Sequence, residues 1–287
     1  MSLVVNHNMM AANVANNLNT HYGRLSTSTQ RLSTGLRINS AADDAAGLAI
    51  RELQRADIAA LHQGARNAND AISLIQVADG ALSIIDEKLI RMKELAEQAA
   101  TGTYDSAQRL MIHSEYQAMA AEITRIANAT DFNGIHLLNG NLKGPHNGSG
   151  PTATGKLKVH FGAGNDSAED YYYIEIGNCT ATALGVDNSI DTQEKAQVAL
   201  NTINEAITSK DKIRAHLGAT QNRLENTIAN LNIQAENLQA AESRISDVDV
   251  ATEMTEFVRQ QILTQSAVAM LSQANSMPQM AMQIIGG

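Results

Sequence analysis

The acidic and hydroxyl residues after position 31 are the first candidates for chemistry in this sequence. In and beside RLSTGLRINSAADDAAGLAI (31–50), Asp43 and Asp44 are adjacent, and Ser33, Ser40 and Arg51 lie near them. Two carboxylates share general acid–base work only when their side chains converge on one point. Adjacent residues of a helix point about 100° apart, so the pair favours a connector between helices over a catalytic site.

Patterns typical of metal and nucleotide sites are missing from the sequence. None of the histidines form a pair at the spacing of a zinc-protease helix, and the single cysteine, Cys179, excludes both an intrachain disulfide and a multi-thiolate zinc site. The run GAGN at 162–165 lacks the further glycine of a dinucleotide fingerprint, and no P-loop occurs. We therefore predict no catalytic residue, no metal site and no cofactor.

The composition favours narrow contacts between helices over a thick globular core. Aromatic residues make up only 3% of the chain and Trp is absent, whereas hydrophobic residues make up 44%. Because aromatic rings bury the most area per residue, the apolar surface here must come from Ala, Leu, Ile, Val and Met. With only three prolines in 287 residues, long helices are permitted.

Net charge and hydropathy exclude several classes of partner. The net charge is −9, and no basic face of the kind that dominates nucleic-acid affinity is visible. No apolar stretch approaches the length of a membrane span. The first residues, MSLVVNHNMMAANVANN, lack the features of a cleaved secretion signal. We expect a protein that is cytosolic or that leaves the cell by a route needing no such signal.

The strongest pattern is an alternation of apolar residues three and four apart, which predicts two long helical seams. The first seam runs through Ala68, Ala71, Ile75, Ala78, Leu82, Ile85, Leu89, Met92, Ala96 and Ala99. The second runs from Leu200 to Ile245 and is interrupted by Lys210, Arg214, Gln221 and Glu242. Polar residues at seam positions fix the register of paired helices, and we interpret these four in that way.

Both chain ends carry thinner seams, rich in Ala, Asn, Ser and Gln. Isolated helices of this kind are marginal in water, so we expect the two ends to need a partner, which can be other copies of the chain. The residues predicted for this terminal seam are Val4, Ala11, Leu18, Leu25, Met254, Val258, Ile262 and Met270.

The middle of the chain, at about 131–190, loses the helical period. Asn133-Gly134 and Asn139-Gly140 predict hairpin-type turns, and the runs KLKVHF and YYYIEI alternate like strands. The layout predicts a mainly α protein in which a small β-hairpin region separates the helices of the two halves.

Several blocks, quoted as they stand, resemble bacterial flagellins. They are the run at 31–50, RNANDAISLIQVADGALSIIDEKLIRMKELAEQA (66–99), DFNGIHLLNG (131–140) and LGATQNRLENTIANLNIQAENLQAAESRISDVDVATEMTEF (217–257). The resemblance implies a minimal flagellin whose N- and C-terminal halves pack as a rod of long antiparallel coiled-coil helices. It implies an inner domain lining the filament channel (1–45 with 244–287) and a rod domain (46–243).

The resemblance also implies roles for individual residues. The residues of the spoke between the two domains would be Arg31, Leu32, Gly35, Leu36, Arg37, Ile38, Asn39, Asp43, Asp44 and Gly47. In this spoke Asp43 and Asp44 either cap the following helix or pair with basic residues of a neighbouring subunit. The positions that match a Toll-like receptor contact of the family are Arg91, Leu95, Gln98 and Glu115, for which ordinary solvated helix faces are the alternative interpretation.

The resemblance also implies several partners: other copies of the subunit, an export chaperone, and cap and hook-associated proteins. It implies that the chain is exported in the unfolded state and assembles at the filament tip. No nucleic acid and no membrane insertion is implied. Two alternative hypotheses stay open from the sequence: a junction protein between hook and filament, present in few copies, and a soluble coiled-coil enzyme or chaperone.

Overall fold

Helices dominate the computed structural model, which describes residues 7–149 and 154–285. The described residues form α1 (Met9–Thr34), α2 (Ala45–Ala100), α3 (Ser106–Ala129), β1 (Asp131–Phe132), β2 (Ile135–His136), β3 (Leu157–His160), β4 (Tyr171–Ile174), α4 (Ala181–Leu184), α5 (Gln193–Ser246) and α6 (Val250–Ile285). The prediction of a mainly α fold with a small β region in the middle is confirmed.

The chain divides into two compact units. One consists of Met1–Ala56 and Asn237–Gly287, and the other is Asp57–Glu236. Each division falls inside a continuous helix, α2 or α5, and not in a loop. The boundaries of the inner and rod domains at 45/46 and 243/244 stay a prediction.

In the Asp57–Glu236 unit, α2 and α5 pack antiparallel along the predicted seams. Lys210 contacts Asp86, and Arg214, one turn further along α5, contacts Asp79, which lies earlier in α2. Every residue of the first predicted seam is at most 5% exposed. Together with Ile203, Leu217 and Leu224 of α5 and Tyr116 and Ile123 of α3, these residues form one continuous core.

Two antiparallel hairpins cover one side of this core. In the first, β1 pairs with β2 through Phe132↔Ile135, and Asn133 and Gly134 both have positive φ (51° and 79°), as a two-residue hairpin turn of the mirror-image type requires. In the second, β3 pairs with β4 through Val159↔Tyr172. The Asn67 side-chain amide of α2 donates to the His160 carbonyl at 2.8 Å, which fixes the second hairpin against the helix.

In the other unit, α1 and α6 also lie antiparallel. Asn8, just before α1, donates to the Ala274 carbonyl near the end of α6, whereas Arg31, near the end of α1, faces Glu253 at the start of α6. The α1 helix ends at Gly35, whose φ of 74° is left-handed and whose N–H donates to the Arg31 carbonyl. Glycine is favoured there because a side chain strains this backbone conformation.

Candidate functional site

The connector, defined as residues 35–44 between α1 and α2, is held against the turn between α5 and α6. The Arg37 N–H donates to the Ser246 carbonyl at 2.7 Å, and the Val248 N–H donates to the Gly35 carbonyl at 3.0 Å. Leu36 forms an isolated antiparallel bridge with Asp247. The Arg37 guanidinium adds a hydrogen bond to the Ile245 carbonyl. The sequence resemblance had placed the spoke here, but nothing in its residue types predicted this backbone pairing.

Asp43 and Asp44 have separate local partners. Asp43 accepts hydrogen bonds from the backbone N–H groups of Asn39 and Ser40 and from the Ser40 hydroxyl. The N–H of Ser40, followed by that of Asn39, lowers the pKa of the Asp43 carboxyl, since these donors stabilise the charged form. Asp44, the residue before α2, instead accepts the N–H of Gly47 at 2.9 Å. The sequence left two hypotheses for Asp44, capping of the following helix and pairing with a basic residue of a neighbouring subunit. Within one chain, Asp44 caps α2.

A buried anchor closes the connector onto α2. Ile38 is only 2% exposed, and Arg51 is 8% exposed and donates from Nη1 to the Ile38 carbonyl at 2.7 Å. A Cβ at Gly47 would meet the ends of two side chains, the Asp44 carboxylate and Ile38 Cδ1 at 2.8 Å, so glycine lets both approach α2 closely. Arg51 therefore satisfies a buried carbonyl and does not form a reactive cluster with Asp43 and Asp44.

The remaining spoke residues flank this anchor. The Asn39 side-chain amide donates to the Leu36 carbonyl, and Leu32 is half-buried on α1. Arg31 lies 3.6 Å from Glu253, with side chains 30% and 12% exposed. The Arg31 Nε is buried without a hydrogen-bond partner among the described residues. The connector is thus a folded structural element whose polar groups mostly bond within the chain.

The seam between α1 and α6 is polar and thin. His21 Nδ1 lies 2.8 Å from Gln260 Oε1, and Gln260 is itself 1% exposed. Ser28 and Thr264 are also buried, and the Thr264 hydroxyl has no hydrogen-bond partner within the described residues. Buried polar groups contribute less stability than apolar ones, and an unsatisfied one costs free energy. This helix pair is therefore weakly held compared with the apolar core of the Asp57–Glu236 unit.

The predicted terminal seam residues fall into three groups. On α1, Ala11, Leu18 and Leu25 are half-buried and lie along the α6-facing side. Val4 lies outside the described residues. The four α6 residues lie elsewhere: Met254, Val258, Ile262 and Met270 are 45%, 43%, 56% and 57% exposed.

The seam within one chain therefore does not run through these four α6 residues, and the sequence assignment needs correction there. The buried residues of α6 are Gln260, Thr264 and Ala274. Val258 and Gln260 are two residues apart, which is about 200° around a helix, so they lie on opposite faces. Apolar residues on both faces made the two possible seams hard to tell apart, and the polar Gln260 and Thr264 gave no signal of burial. We call Met254, Val258, Ile262 and Met270 the outer apolar residues of α6.

The residues that match a receptor contact lie on α2 and α3. Arg91 donates from Nε and Nη2 to one oxygen of Glu115, at 3.0 and 2.8 Å, and from Nη1 to Glu94 at 2.9 Å. Arg91 and Glu115 are 50% and 44% exposed. Gln98 is exposed and donates to the Tyr104 hydroxyl, whereas Leu95 is 1% exposed and belongs to the core. Three of the four side chains are therefore accessible to a partner, whereas Leu95 packs in the core and is not.

Two of the four polar residues predicted to interrupt the α2–α5 seam, Lys210 and Arg214, pair with α2 across it, whereas Gln221 bonds to Glu225 of its own helix. Lys210, 2% exposed, contacts Asp86 at 2.6 Å and Asp211 at 2.7 Å, and Arg214 forms a two-pronged pair with Asp79. Burial disfavours the Lys210 ammonium, but hydrogen bonds to Asp211 and Asp86 outweigh this effect and raise its pKa. Such pairs fit only one alignment of the two helices.

The described part of the chain contains neither a cluster of three or more potential metal ligands nor a helix long and apolar enough to cross a membrane. Cys179 is fully buried, and burial raises the pKa of its thiol to about 12, so it is a thiol and not a reactive thiolate at neutral pH.

Comparisons with known proteins agree on one family. Residues 5–143 match the model of the bacterial flagellin N-terminal helical region, and residues 200–285 match that of the C-terminal helical region. The chain is 41% identical over 290 residues to flagellin FlaB2 of Treponema pallidum, covering 99% of this chain and 100% of that protein. It is 42% identical, with the same coverage, to the flagellar filament 33 kDa core protein of Treponema phagedenis.

One solved structure is similar to this chain in its fold only. The putative flagellar hook-associated protein from Vibrio parahaemolyticus superposes with a TM-score of 0.56 over 71% of this chain and 100% of that one, at 16% identity. At this identity the likeness does not extend to function. The full-length match to relatives of similar size agrees with the predicted minimal form, without large additional outer domains.

Proposed function

The chain belongs to the bacterial flagellin family and is a structural, non-enzymatic subunit of the flagellar filament, and from this premise we propose that the outer apolar residues of α6 bind neighbouring subunits. Their exposure in one chain is the observation that carries the proposal: Val258 and Ile262 are 43% and 56% exposed on the side of α6 opposite the buried Gln260, and Met270 is 57% exposed. Grouped exposed apolar side chains of this kind are typical of protein interaction sites.

The contact would be heterologous, with α6 of one subunit meeting a different surface of the next. Heterologous contacts that do not close generate an open helical polymer. The polar α1–α6 seam, with Gln260 and Thr264 at its centre, leaves this pair weakly held in a single chain. Ordering of the terminal helices is thereby coupled to addition of the subunit to the filament tip, where 1–45 and 244–287 line the channel.

The same weak seam supports passage through an export channel in the unfolded state, because little free energy opposes separation of the two ends. On the family resemblance, an export chaperone would hold the chain before export, and cap and hook-associated proteins would meet it at the filament ends. These partners would use surfaces that are accessible before the outer apolar residues are covered.

The test is seeded elongation of a Val258→Ser/Ile262→Ser double variant. Burying each apolar side chain in an interface contributes about 1.5–3 kcal/mol, so the two losses raise the critical concentration for growth at least about 100-fold. Growth on filament fragments is followed by light scattering and electron microscopy.

The matched control is Gln261→Ser, which shortens an exposed polar side chain of the same helix and is expected to elongate normally. Circular dichroism of the unpolymerised variants should match that of the parent, because none of the three side chains is buried. Normal elongation of the double variant would refute the proposed contact.

For a second function we propose that Arg91, Gln98 and Glu115 bind an innate-immune Toll-like receptor of animal cells. Support comes from their exposure on one face of α2 and α3, and from the Arg91–Glu115 pair, which holds the guanidinium in a defined orientation. Glu94 also pairs with Arg91, so the receptor must compete with two carboxylates for this cation.

Arg91→Ala is expected to weaken receptor activation by unpolymerised protein at least about tenfold, the equivalent of one charge-assisted hydrogen bond. Activation is measured in cells that carry the receptor and a reporter gene. Arg125→Ala is the control, since Arg125 also pairs with a carboxylate on α3, that of Glu122, but lies outside the motif. Equal potency of the two variants would contradict the proposal.

A further inference from the structure

An open cavity of about 460 Å³ lies between α5 and the segment that follows β4. The lining residues used below include Lys143, Glu175, Asn178, Ser209, Lys212 and His216, all within the Asp57–Glu236 unit. Its size falls within the range of small-molecule sites in proteins. A Cβ at position 177 would lie 2.7 Å from Ile213 Cδ1, so glycine keeps this wall of the cavity free of a side chain.

The charge of this cavity is opposite to that of the chain. Lys143 and Lys212 line it, whereas the whole protein carries a net charge of −9. Its one acidic lining residue, Glu175, is already paired with Lys156 at 2.8 Å. That pair, with smaller effects of His216 and Lys143, lowers the pKa of Glu175. Within the described residues neither the Lys143 nor the Lys212 ammonium forms an ion pair or hydrogen bond, so two cations are available to an anion.

Neutral hydrogen-bonding groups stand beside the two lysines. The Asn178 side-chain oxygen, Oδ1, accepts the Thr180 N–H at 3.0 Å, and the NH₂ group of the same side chain is a hydrogen-bond donor. The Ser209 hydroxyl lines the same cavity. Amide and hydroxyl groups recognise ligand hydroxyls, and lysines recognise carboxylate or phosphate through charge-assisted hydrogen bonds.

We propose that this cavity binds a small sugar acid, with its anionic group on Lys143 and Lys212 and its hydroxyls on Asn178 and Ser209. A free inorganic anion would engage the lysines but leave the amide, the hydroxyl and most of the volume unused. An uncharged sugar would leave both cations unpaired. The combination of two unpaired cations with neutral donors in one cavity therefore selects a ligand that carries both chemistries.

The test is titration of the full-length, unpolymerised chain with glucuronate, followed by the ring resonances of His216 and by calorimetry. A saturable shift is expected with a dissociation constant of about 1 mM, the affinity reachable by a ligand of this size. Glucose, which lacks the anion, and inorganic phosphate, which lacks the hydroxyls, should each bind at least about tenfold more weakly.

The double variant Lys143→Gln/Lys212→Gln should lose at least about tenfold in glucuronate affinity, and both positions are exposed, so the fold is retained. Lys93→Gln, which removes an exposed lysine of α2 away from the cavity, should leave affinity unchanged. Unsaturable shifts with glucuronate, phosphate binding as tight as glucuronate, or an unaffected double variant would each overturn the assignment. Filament growth plays no part in this readout, so the result is independent of the proposed subunit contact.

Discussion

Asp86→Ala is expected to lower the free energy of unfolding of the chain by about 3 kcal/mol, because it removes one partner of a buried charge. The Lys210 side chain is 2% exposed and has Asp86 and Asp211 as its partners. Asp211 is 60% exposed. The Lys210–Asp211 pair that remains in the variant is therefore screened by solvent and replaces only part of the lost interaction. Urea denaturation followed by circular dichroism measures the change.

A second variant separates the cost of an unpaired charge from the value of the pair. Asp86→Leu/Lys210→Met replaces both charges with apolar side chains of similar size, and such replacements are often neutral or stabilising. We therefore expect the double variant to recover most of the stability lost by Asp86→Ala. Asp79→Ala, at the more exposed Arg214 pair (35% and 45% exposed), should cost at most about 1 kcal/mol.

A loss of unfolding free energy smaller than that of Asp79→Ala would show that Asp86 is not needed to compensate the buried lysine.

The pH dependence of stability gives a further check. Because the pKa of Lys210 is raised in the folded state, its contribution is complete below the ordinary lysine pKa and is lost as the pH rises through the folded value. The pKa of Asp79 is lowered by its hydrogen bond from Arg214, so that contribution is present above the ordinary aspartate pKa and is lost as the pH falls.

Gly64→Ala is expected to destabilise the chain by about 2 kcal/mol, although alanine favours a helix over glycine by about 1 kcal/mol. A Cβ at Gly64 would lie 2.6 Å from the Phe161 carbonyl carbon and 2.8 Å from its Cα. These are backbone atoms of the residue that directly follows β3, so relief requires α2 and the β3–β4 hairpin to separate. That movement also weakens the hydrogen bond from Asn67 to the His160 carbonyl.

Gly80→Ala is the matched control, since Gly80 lies in the same helix and an added Cβ meets no atom within 4 Å. It should stabilise the chain by about 1 kcal/mol through helix propensity alone. The two substitutions are therefore expected to have opposite signs in thermal and urea denaturation. Hydrogen exchange should show faster exchange in β3 and β4 for Gly64→Ala only, and equal effects of both substitutions would contradict the close-contact argument.

The principal seam of the Asp57–Glu236 unit was predictable residue by residue from the sequence. Apolar residues from Ala68 to Ala99 recur at the helical period, and all of the predicted row is buried, whereas the buried Leu74 and Leu95 lie outside that row. Lys210 and Arg214 stood out because they interrupt the apolar period of the second seam, from Leu200 to Ile245. The identity of their partners, Asp86 and Asp79, depended on the alignment of α2 with α5 and was not readable from either segment alone.

The terminal helices show where periodicity is insufficient. On α1 a single thin apolar row indicated the partly buried side, including Leu18 and Leu25. On α6 apolar residues occur on several faces, and the sequence favoured Val258 and Ile262, whereas packing against α1 buries Gln260 and Thr264. When polar and apolar rows compete, the neighbouring helix decides which is covered, and the sequence of one helix does not contain that neighbour.

The amino-acid sequence by itself determined the long helices, the position of the β region, the absence of a catalytic or metal pattern and the resemblance to one family. These follow from local periodicity, turn residues and composition, which act over a few neighbouring residues. Only the tertiary structure decided the separate roles of Asp43 and Asp44, the burial of Arg51 against the Ile38 carbonyl and the placement of Lys143 and Lys212 around one cavity. Each of these depends on backbone groups or segments distant in the sequence, because folding brings together groups that no local pattern relates.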